Sequence, residues 1–211
     1  RDNAGNTPIH LAVKRQCLST INILIPCGAK INVLNSDGDT PLHLSILNDK
    51  IGVFKTLTKA GANLNIQNDN QNTPLHLAVQ NLNILAIKML IIKGANLNIK
   101  DNNGNTPLHL AIKLSNLEII ELLIAAGSNL HQPNNQNCSA LDLAISNNDI
   151  EIISTLIKAG ARPLMGHLNN NNLTTQASIL SDSHAPKIVT IFRAKKNKGA
   201  INNEVSKSPL H

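Results

Sequence analysis

Short apolar runs recur along the chain at helical spacing, and polar turns separate them. One such pair covers residues 107–114 and 117–126. The apolar residues of the second run fall on one face of a helix: Leu117, Ile120, Leu123 and Ile124. Glu118 and Glu121 then face water on the other side. The pattern therefore predicts two short helices joined by a tight turn.

This helix pair belongs to a unit that repeats every 33 residues. The motif Thr-Pro-Leu-His, once with Ile in place of Leu, begins at Thr7, Thr40, Thr73 and Thr106, and a degraded copy begins at Ser139. Thr before Pro suits the first turn of a helix, where the missing N–H of Pro costs nothing. A Gly that can end a helix in a left-handed conformation keeps the same period: Gly28, Gly61, Gly94, Gly127 and Gly160. The phase predicts five repeats, at about 1–34, 35–67, 68–100, 101–133 and 134–164.

These motifs resemble the ankyrin repeat family, whose period is about 33 residues and whose signature is T-P-L-H-x-A. The resemblance covers residues 1–164. It implies an all-α fold, an ankyrin-repeat solenoid of stacked helix-turn-helix units with projecting β-hairpin fingers. The fingers are the polar loops before each first helix, such as residues 35–39 and 101–105.

Three positions depart from the repeat pattern. Pro26 stands near the end of the second helix of repeat 1, where it removes a hydrogen bond. Gln71 stands where the finger normally has Gly, so Asn70 or Gln71 must adopt an unusual turn conformation. The fifth repeat has lost Pro and His from its signature, which is typical of a terminal repeat.

Composition argues against several classes of function. The chain has two Phe, no Tyr and no Trp, so unpaired bases have almost no aromatic side chains to stack on. No apolar run approaches the roughly 18 residues of a membrane span. Cys17, Cys27 and Cys138 form no C-x-x-C motif. We therefore expect a reduced, intracellular protein that binds neither nucleic acid nor membranes, in the cytoplasm of the producing cell or of a host cell.

The histidines do not predict a metal site. The signature histidines lie one per repeat: His10, His43, His76 and His109. Packed helices are about 8–10 Å apart, whereas zinc ligands must each come within about 2.1 Å of the ion. We expect each ring to bond Thr or backbone at a repeat junction. The chain also shows neither a G-x-S-x-G turn nor a phosphate-binding Gly motif, so we expect no enzyme activity, cofactor or small-molecule substrate.

The composition shifts after Leu164. Residues 165–211 are Asn-rich and carry six basic and two acidic residues, which predicts a largely disordered basic tail. Three interpretations of the basic segment at residues 193–198 remain open. It is a solvated tail, a targeting or nucleic-acid patch, or a membrane-surface contact through Ile188, Val189, Ile191 and Phe192.

The family resemblance implies binding of a protein partner on a concave face made from first helices and fingers. Carried onto this chain, the helix positions are Lys14, Arg15, Leu47, Asn48, Gln80, Asn81, Lys113, Leu114, Ser146 and Asn147. The finger positions are Asp37, Asp39, Asp69, Asn70, Asn103 and Asn105. Leu47 and Leu114 are notable because they are apolar where the fold has no need to bury a side chain.

We therefore predict a monomeric, non-catalytic protein–protein interaction module. The alternative is the targeting arm of a larger enzyme or host-directed effector whose N-terminal part is missing. The resemblance also implies that Asn32, Asn65 and Asn98 are structural residues of the fingers or substrates of an asparaginyl hydroxylase.

Overall fold

Residues 1–48 and 51–164 are described by a computed structural model. They form ten helices in five consecutive pairs. The helices are α1 (Pro8–Lys14), α2 (Leu18–Leu24), α3 (Pro41–Leu47), α4 (Ile51–Lys59), α5 (Pro74–Gln80), α6 (Ile84–Ile92), α7 (Pro107–Lys113), α8 (Leu117–Ala125), α9 (Ala140–Ser146) and α10 (Ile150–Lys158). The predicted all-α solenoid is confirmed.

The pairs stack into one compact unit over residues 1–164. Each odd-numbered helix packs on the next odd-numbered helix, and these contacts are more extensive than those between successive even-numbered helices. Among the neighbouring even-numbered helices, α4 and α6 touch least. The odd-numbered helices are therefore the more closely packed row; we call them the inner helices and the even-numbered ones the outer helices. The expected basic tail lies outside the described residues and stays a prediction.

Each inner helix starts at a reciprocal cap. The Thr40 backbone N–H donates to His43 Nδ1 at 3.1 Å, and the His43 backbone N–H donates to Thr40 Oγ1 at 3.3 Å. This satisfies two of the backbone donors that a helix N-terminus leaves without partners. The same pair of contacts recurs in every repeat, with Ser139 and Asp142 in the fifth.

Small side chains allow the close packing of the inner row. The small residue that ends the six-residue signature is buried in every repeat: Ala12, Ser45, Ala78, Ala111 and Ala144. The signature Leu or Ile is also fully buried, at 0–1% exposure in all five repeats. The core is therefore continuous along the stack and, apart from Phe54, aliphatic.

The fingers are tight turns. In the second finger the Asn35 N–H donates to the Asp39 carbonyl at 3.0 Å, while Asn35 Oδ1 accepts from the backbone N–H groups of Asp37 and Asp39. No β-strand is found in residues 1–48 and 51–164. The hairpins are thus closed by side-chain amides or carboxylates and one backbone bond rather than by paired strands.

Neighbouring fingers are joined by backbone hydrogen bonds that are uneven in length. The N–H groups of Ser36, Asp69 and Asn135 donate to the preceding finger at 3.0–3.2 Å, but Asn102 lies 3.4 Å from the Asn70 carbonyl. That weak bond follows Gln71, which adopts φ +57° where three other fingers have Gly. A Cβ atom at Gly38 or Gly104 would come within 2.5 Å of the next finger's backbone nitrogen. The Cβ of Gln71 therefore explains the wider spacing.

Two further features distinguish the junction between the third and fourth fingers: a side-chain hydrogen bond that is absent and a glutamine that bridges the junction. At other junctions a buried Asn donates its Nδ2 to the preceding finger, as Asn68 does to Asp39 Oδ1 at 2.8 Å. Asp101 stands at this position in the fourth finger and has no N–H to donate, so Asn72 Oδ1 has no partner among the described residues. Gln67 Nε2 bridges the junction instead, to the Gln71 and Lys100 carbonyls at 2.7 and 2.8 Å.

Pro26 shortens α2 as expected. The other described even-numbered helices have nine residues, whereas α2 has seven and ends at Leu24. Proline has no N–H with which to continue the helical hydrogen bonds.

We expect Pro26→Lys to lengthen α2 and raise the free energy of unfolding by about 1 kcal/mol, since the new N–H can donate to the Asn22 carbonyl. Lys occupies the same register at Lys59 and Lys158. Urea unfolding and far-ultraviolet circular dichroism measure both effects. Ala125→Lys is the matched control because it adds the same charge without removing a proline. An equal gain in both variants would attribute the effect to charge and contradict the prediction.

We expect Gln71→Gly to raise the free energy of unfolding by about 0.5–1 kcal/mol. Glycine relieves the left-handed conformation and lets the two fingers approach, which outweighs its larger loss of chain entropy. The converse change, Gly104→Gln, should lower stability because its Cβ meets the backbone of Asn135. Chemical unfolding of both variants is the measurement, and a neutral result for the pair would show that finger spacing contributes nothing.

Candidate functional site

The ten helix positions predicted to bind a partner lie at the C-terminal ends of the inner helices. Each pair consists of the last helical residue and its C-cap, for example Lys14 with Arg15 and Lys113 with Leu114. All ten side chains are exposed. They form a row that follows one edge of the stack, which we call the inner-end row.

The finger positions form a separate row at the other end of the same helices. An inner helix of seven residues is about 10 Å long, so the fingers and the inner-end row do not make one cluster. Asp37, Asp69, Asn70 and Asn103 are exposed at the finger tips.

Asp39 and Asn105 are corrections to the predicted site. They are 6% and 1% exposed, so neither can contact a partner directly. Asp39 Oδ1 accepts from Asn68 Nδ2, and Asn105 Oδ1 accepts from Asn134 Nδ2 at 3.2 Å. Both residues bond the next finger, and that finger covers them.

One open groove lies on the inner-end row between repeats 2 and 3. It has a volume of about 580 Å³, and its lining residues are Ile46, Leu47, Asn81, Leu82, Asn83 and Ile84. The groove brings together two predicted residues, Leu47 and Asn81, which are 34 residues apart in the chain. Leu114 lies in repeat 4, two repeats away from Leu47, and does not line the groove.

Leu82 was not predicted from the sequence. It is 49% exposed and adopts φ +53°, a conformation that costs an ordinary side chain about 1–2 kcal/mol. Other repeats place polar residues in this turn, such as Gln16, Ser115 and Asn148. An exposed leucine in a strained turn is a candidate functional feature, and its departure from the repeat pattern was the available signal.

Leu47 and Leu114 are 46% and 45% exposed. Neither side chain is part of the buried core, so both are accessible to a partner. Leu47 and Leu82 both line the groove, so the surface around Leu47 is the most apolar area along the inner-end row.

The signature histidines connect successive repeats. His43 Nδ1 accepts from the Thr40 N–H and lies 2.8 Å from Thr40 Oγ1, while Nε2 lies 3.0 Å from the Asn72 carbonyl in the next repeat. Because Nδ1 accepts, the proton must be on Nε2. The same arrangement is present at His10, His76 and His109, which confirms the expected bonds to Thr and backbone.

Burial keeps these histidines neutral. It lowers the pKa of all four rings, to about 4 for His109. Asp142 replaces the ring in the fifth repeat, where its Oδ2 accepts from Ser139 and, at 3.2 Å, from the Leu164 N–H. No group of three His, Cys, Asp or Glu side chains within residues 1–48 and 51–164 is arranged to hold a metal ion.

Three asparagines that recur with the 33-residue period, at positions 32, 65 and 98, have a structural role. Asn32, Asn65 and Asn98 each accept, through Oδ1, the backbone N–H of an asparagine in the following repeat at 2.8–2.9 Å. Their side chains therefore join successive repeats. Hydroxylation of these residues stays a prediction.

Comparison with known proteins supports the repeat interpretation. The family model described as ankyrin repeats in three copies matches residues 9–101 and again residues 75–167. No curated protein matches the chain. In the part of the chain that the structure describes, no helix is long and apolar enough to cross a bilayer.

We expect stability to fall as pH drops below 6.5. The unfolded histidines bind protons there and the folded ones do not, so unfolding is favoured. With a folded pKa of about 4, His109 alone should cost about 2 kcal/mol at pH 5.

Urea unfolding midpoints measured between neutral pH and about pH 5 test this expectation. A wild-type midpoint that is constant over this range would contradict the prediction.

Proposed function

Since the chain belongs to the ankyrin repeat family, we propose that it binds a protein partner through the groove between repeats 2 and 3 and the adjoining inner-end row. Ankyrin repeats are generally protein–protein interaction modules and are typically non-catalytic. The observation that carries the proposal is the exposed pair Leu47 and Leu82 over an open groove of about 580 Å³.

The groove has the composition of an anchor site. Leucine and isoleucine side chains provide apolar surface, and Asn81 provides polar groups at its edge. Binding sites of this kind combine an apolar lining with a few polar groups that orient the ligand. A partner side chain that fills the groove would remove the exposed halves of Leu47 and Leu82 from water.

The remaining inner-end residues form the rim. Lys14, Arg15 and Lys113 are basic, Leu114 is apolar, and the other members are uncharged polar residues. Charged rims influence association rate and selectivity more than affinity. The finger tips are a second contact area, where Asp37 and Asp69 add negative charge.

The alternative function, a targeting arm within a larger enzyme or host-directed effector, stays a prediction from composition and family. A monomeric, intracellular protein likewise stays an expectation from the sequence. Neither is needed for the groove to bind a partner.

We expect Leu47→Gln combined with Leu82→Asn to weaken partner capture about 30-fold, because each half-exposed leucine contributes about 1 kcal/mol when a partner covers it. Gln80 and Asn148 occupy the same registers, so the fold should tolerate both changes. Leu114→Asn, which matches Asn81, should have a smaller effect.

The measurement uses the immobilised full chain, an extract of the producing cells and quantitative mass spectrometry. Ile23→Thr is the control, because Ile23 is 64% exposed on α2 and Thr56 and Thr155 share its register. Proteins retained by the control and lost by the double variant support the groove. Partners captured equally by all variants would place binding elsewhere, and Asp37→Asn with Asp69→Asn would then test the fingers.

A further inference from the structure

Three positions on each outer helix face solvent, and they are equivalent from one repeat to the next. Together we call them the outer line. In repeat 2 they are Gly52, Lys55 and Lys59; in repeat 3, Leu85, Lys88 and Ile92; in repeat 4, Glu118, Glu121 and Ala125. All nine residues are exposed. The outer line is therefore basic in repeat 2, apolar around one lysine in repeat 3, and acidic in repeat 4.

The apolar centre is unusual for an outer helix. Ile92 is 80% exposed and Leu85 is 51% exposed. They are seven residues apart on α6, which places them on the same side two turns and about 10 Å apart. A helix that is apolar on nearly all sides is normally covered on all sides, yet no described residue covers this side of α6.

The fold itself does not require these side chains. The other repeats carry Ser19, Gly52, Glu118 and Glu151 at the register of Leu85. At the register of Ile92 they carry Pro26, Lys59, Ala125 and Lys158. Small, polar and charged residues thus satisfy both positions.

The charges on the two sides of α6 are opposite and partly unpaired. Lys88 lies 3.6 Å from Glu118 in an ion pair within the chain. Lys55, Lys59 and Glu121 make no ion pair with other described residues. One repeat earlier, the positions that correspond to Lys88 and Glu118 hold Lys55 and Leu85. Lys55 therefore lies beside a leucine and not beside an acidic residue.

We propose that two copies of the chain associate through the outer face of repeat 3, about a two-fold axis that runs parallel to α6 along its outer side. This rotation reverses the order of repeats in the second copy. Leu85 then faces the partner's Leu85, and Ile92 faces the partner's Ile92, while each Lys88 stays paired with Glu118 of its own chain. Repeat 2 of each copy faces repeat 4 of the other.

The charge pattern favours a second copy as the occupant. Under this rotation Lys55 lies opposite the partner's Glu121, with Lys59 and the partner's Glu118 about one helical turn to either side, and symmetry creates the same contact twice. A two-fold interface must be complementary to itself, and a basic flank, apolar centre and acidic flank meet that condition. An anionic membrane fits poorly, because Glu118, Glu121 and Glu151 would face it.

The dimer goes beyond the proposed function and uses no residue of the groove. One outer helix from each copy, with its neighbours, makes an interface at the small end of the specific range. We therefore expect a weak, concentration-dependent dimer, in place of the monomer expected from the sequence.

Sedimentation equilibrium of the full chain tests the proposal over micromolar to millimolar concentrations. The average mass should rise from that of one chain toward that of two. Leu85→Glu with Ile92→Lys, which imports the residues of repeats 4 and 2 at these registers, should weaken association at least tenfold. Ile23→Thr should leave it unchanged, and circular dichroism verifies the fold of each variant.

Charge exchange tests the symmetry. The variant Lys55→Glu/Lys59→Glu and the variant Glu118→Lys/Glu121→Lys should each dimerise at least tenfold more weakly than wild type. An equimolar mixture of the two should form a one-to-one heterodimer, because the acidic flanks of one variant then face the basic flanks of the other. A wild-type mass that stays at one chain, growth beyond two chains, or a mixture that does not associate would each overturn the proposal. The groove variants would still dimerise even if partner capture failed.

Discussion

The first four repeats each depend on a neutral histidine whose two ring nitrogens make different hydrogen bonds. Nδ1 accepts from the threonine that caps the helix, and Nε2 donates to a carbonyl 29 residues further along the chain. The cap and the junction between repeats therefore use one ring in one tautomer. Protonation of Nδ1 would place a hydrogen where the Thr N–H already points, so the ring can satisfy both neighbours only while it is uncharged. Local helix initiation and stacking between repeats are thus coupled through a single side chain.

The 33-residue period predicted most of the fold because the same residues start and end the helices in nearly every repeat. Thr, Pro, His and Gly specify the start and end of a helix by backbone chemistry alone, and the structure places them as expected. Asp39 and Asn105 show where this reasoning stops. A polar residue in a loop suggests exposure, but both are covered by a finger more than twenty residues away, and only the stacking distance reveals it.

Leu82, Leu85 and Ile92 were missed for a different reason. The apolar pattern of an amphipathic helix identifies its buried face. Extra apolar residues on the other face raise the number of apolar residues in the helix but do not change the prediction of a helix. Comparison of equivalent positions across the repeats is more informative. Where four repeats hold polar or small residues and one holds leucine or isoleucine, packing does not explain the choice, and binding becomes the natural hypothesis.

The junction between the third and fourth fingers has a mechanical consequence. Its backbone bond is long at 3.4 Å, Asn72 Oδ1 has no partner among the described residues, and the side-chain amides of Gln67 and Asn102 bridge the two fingers. A side-chain amide can follow a change in spacing by rotating about its own bonds, which a main-chain hydrogen bond cannot do. The third and fourth fingers can therefore shift slightly against each other while the helix pairs on either side keep their internal packing.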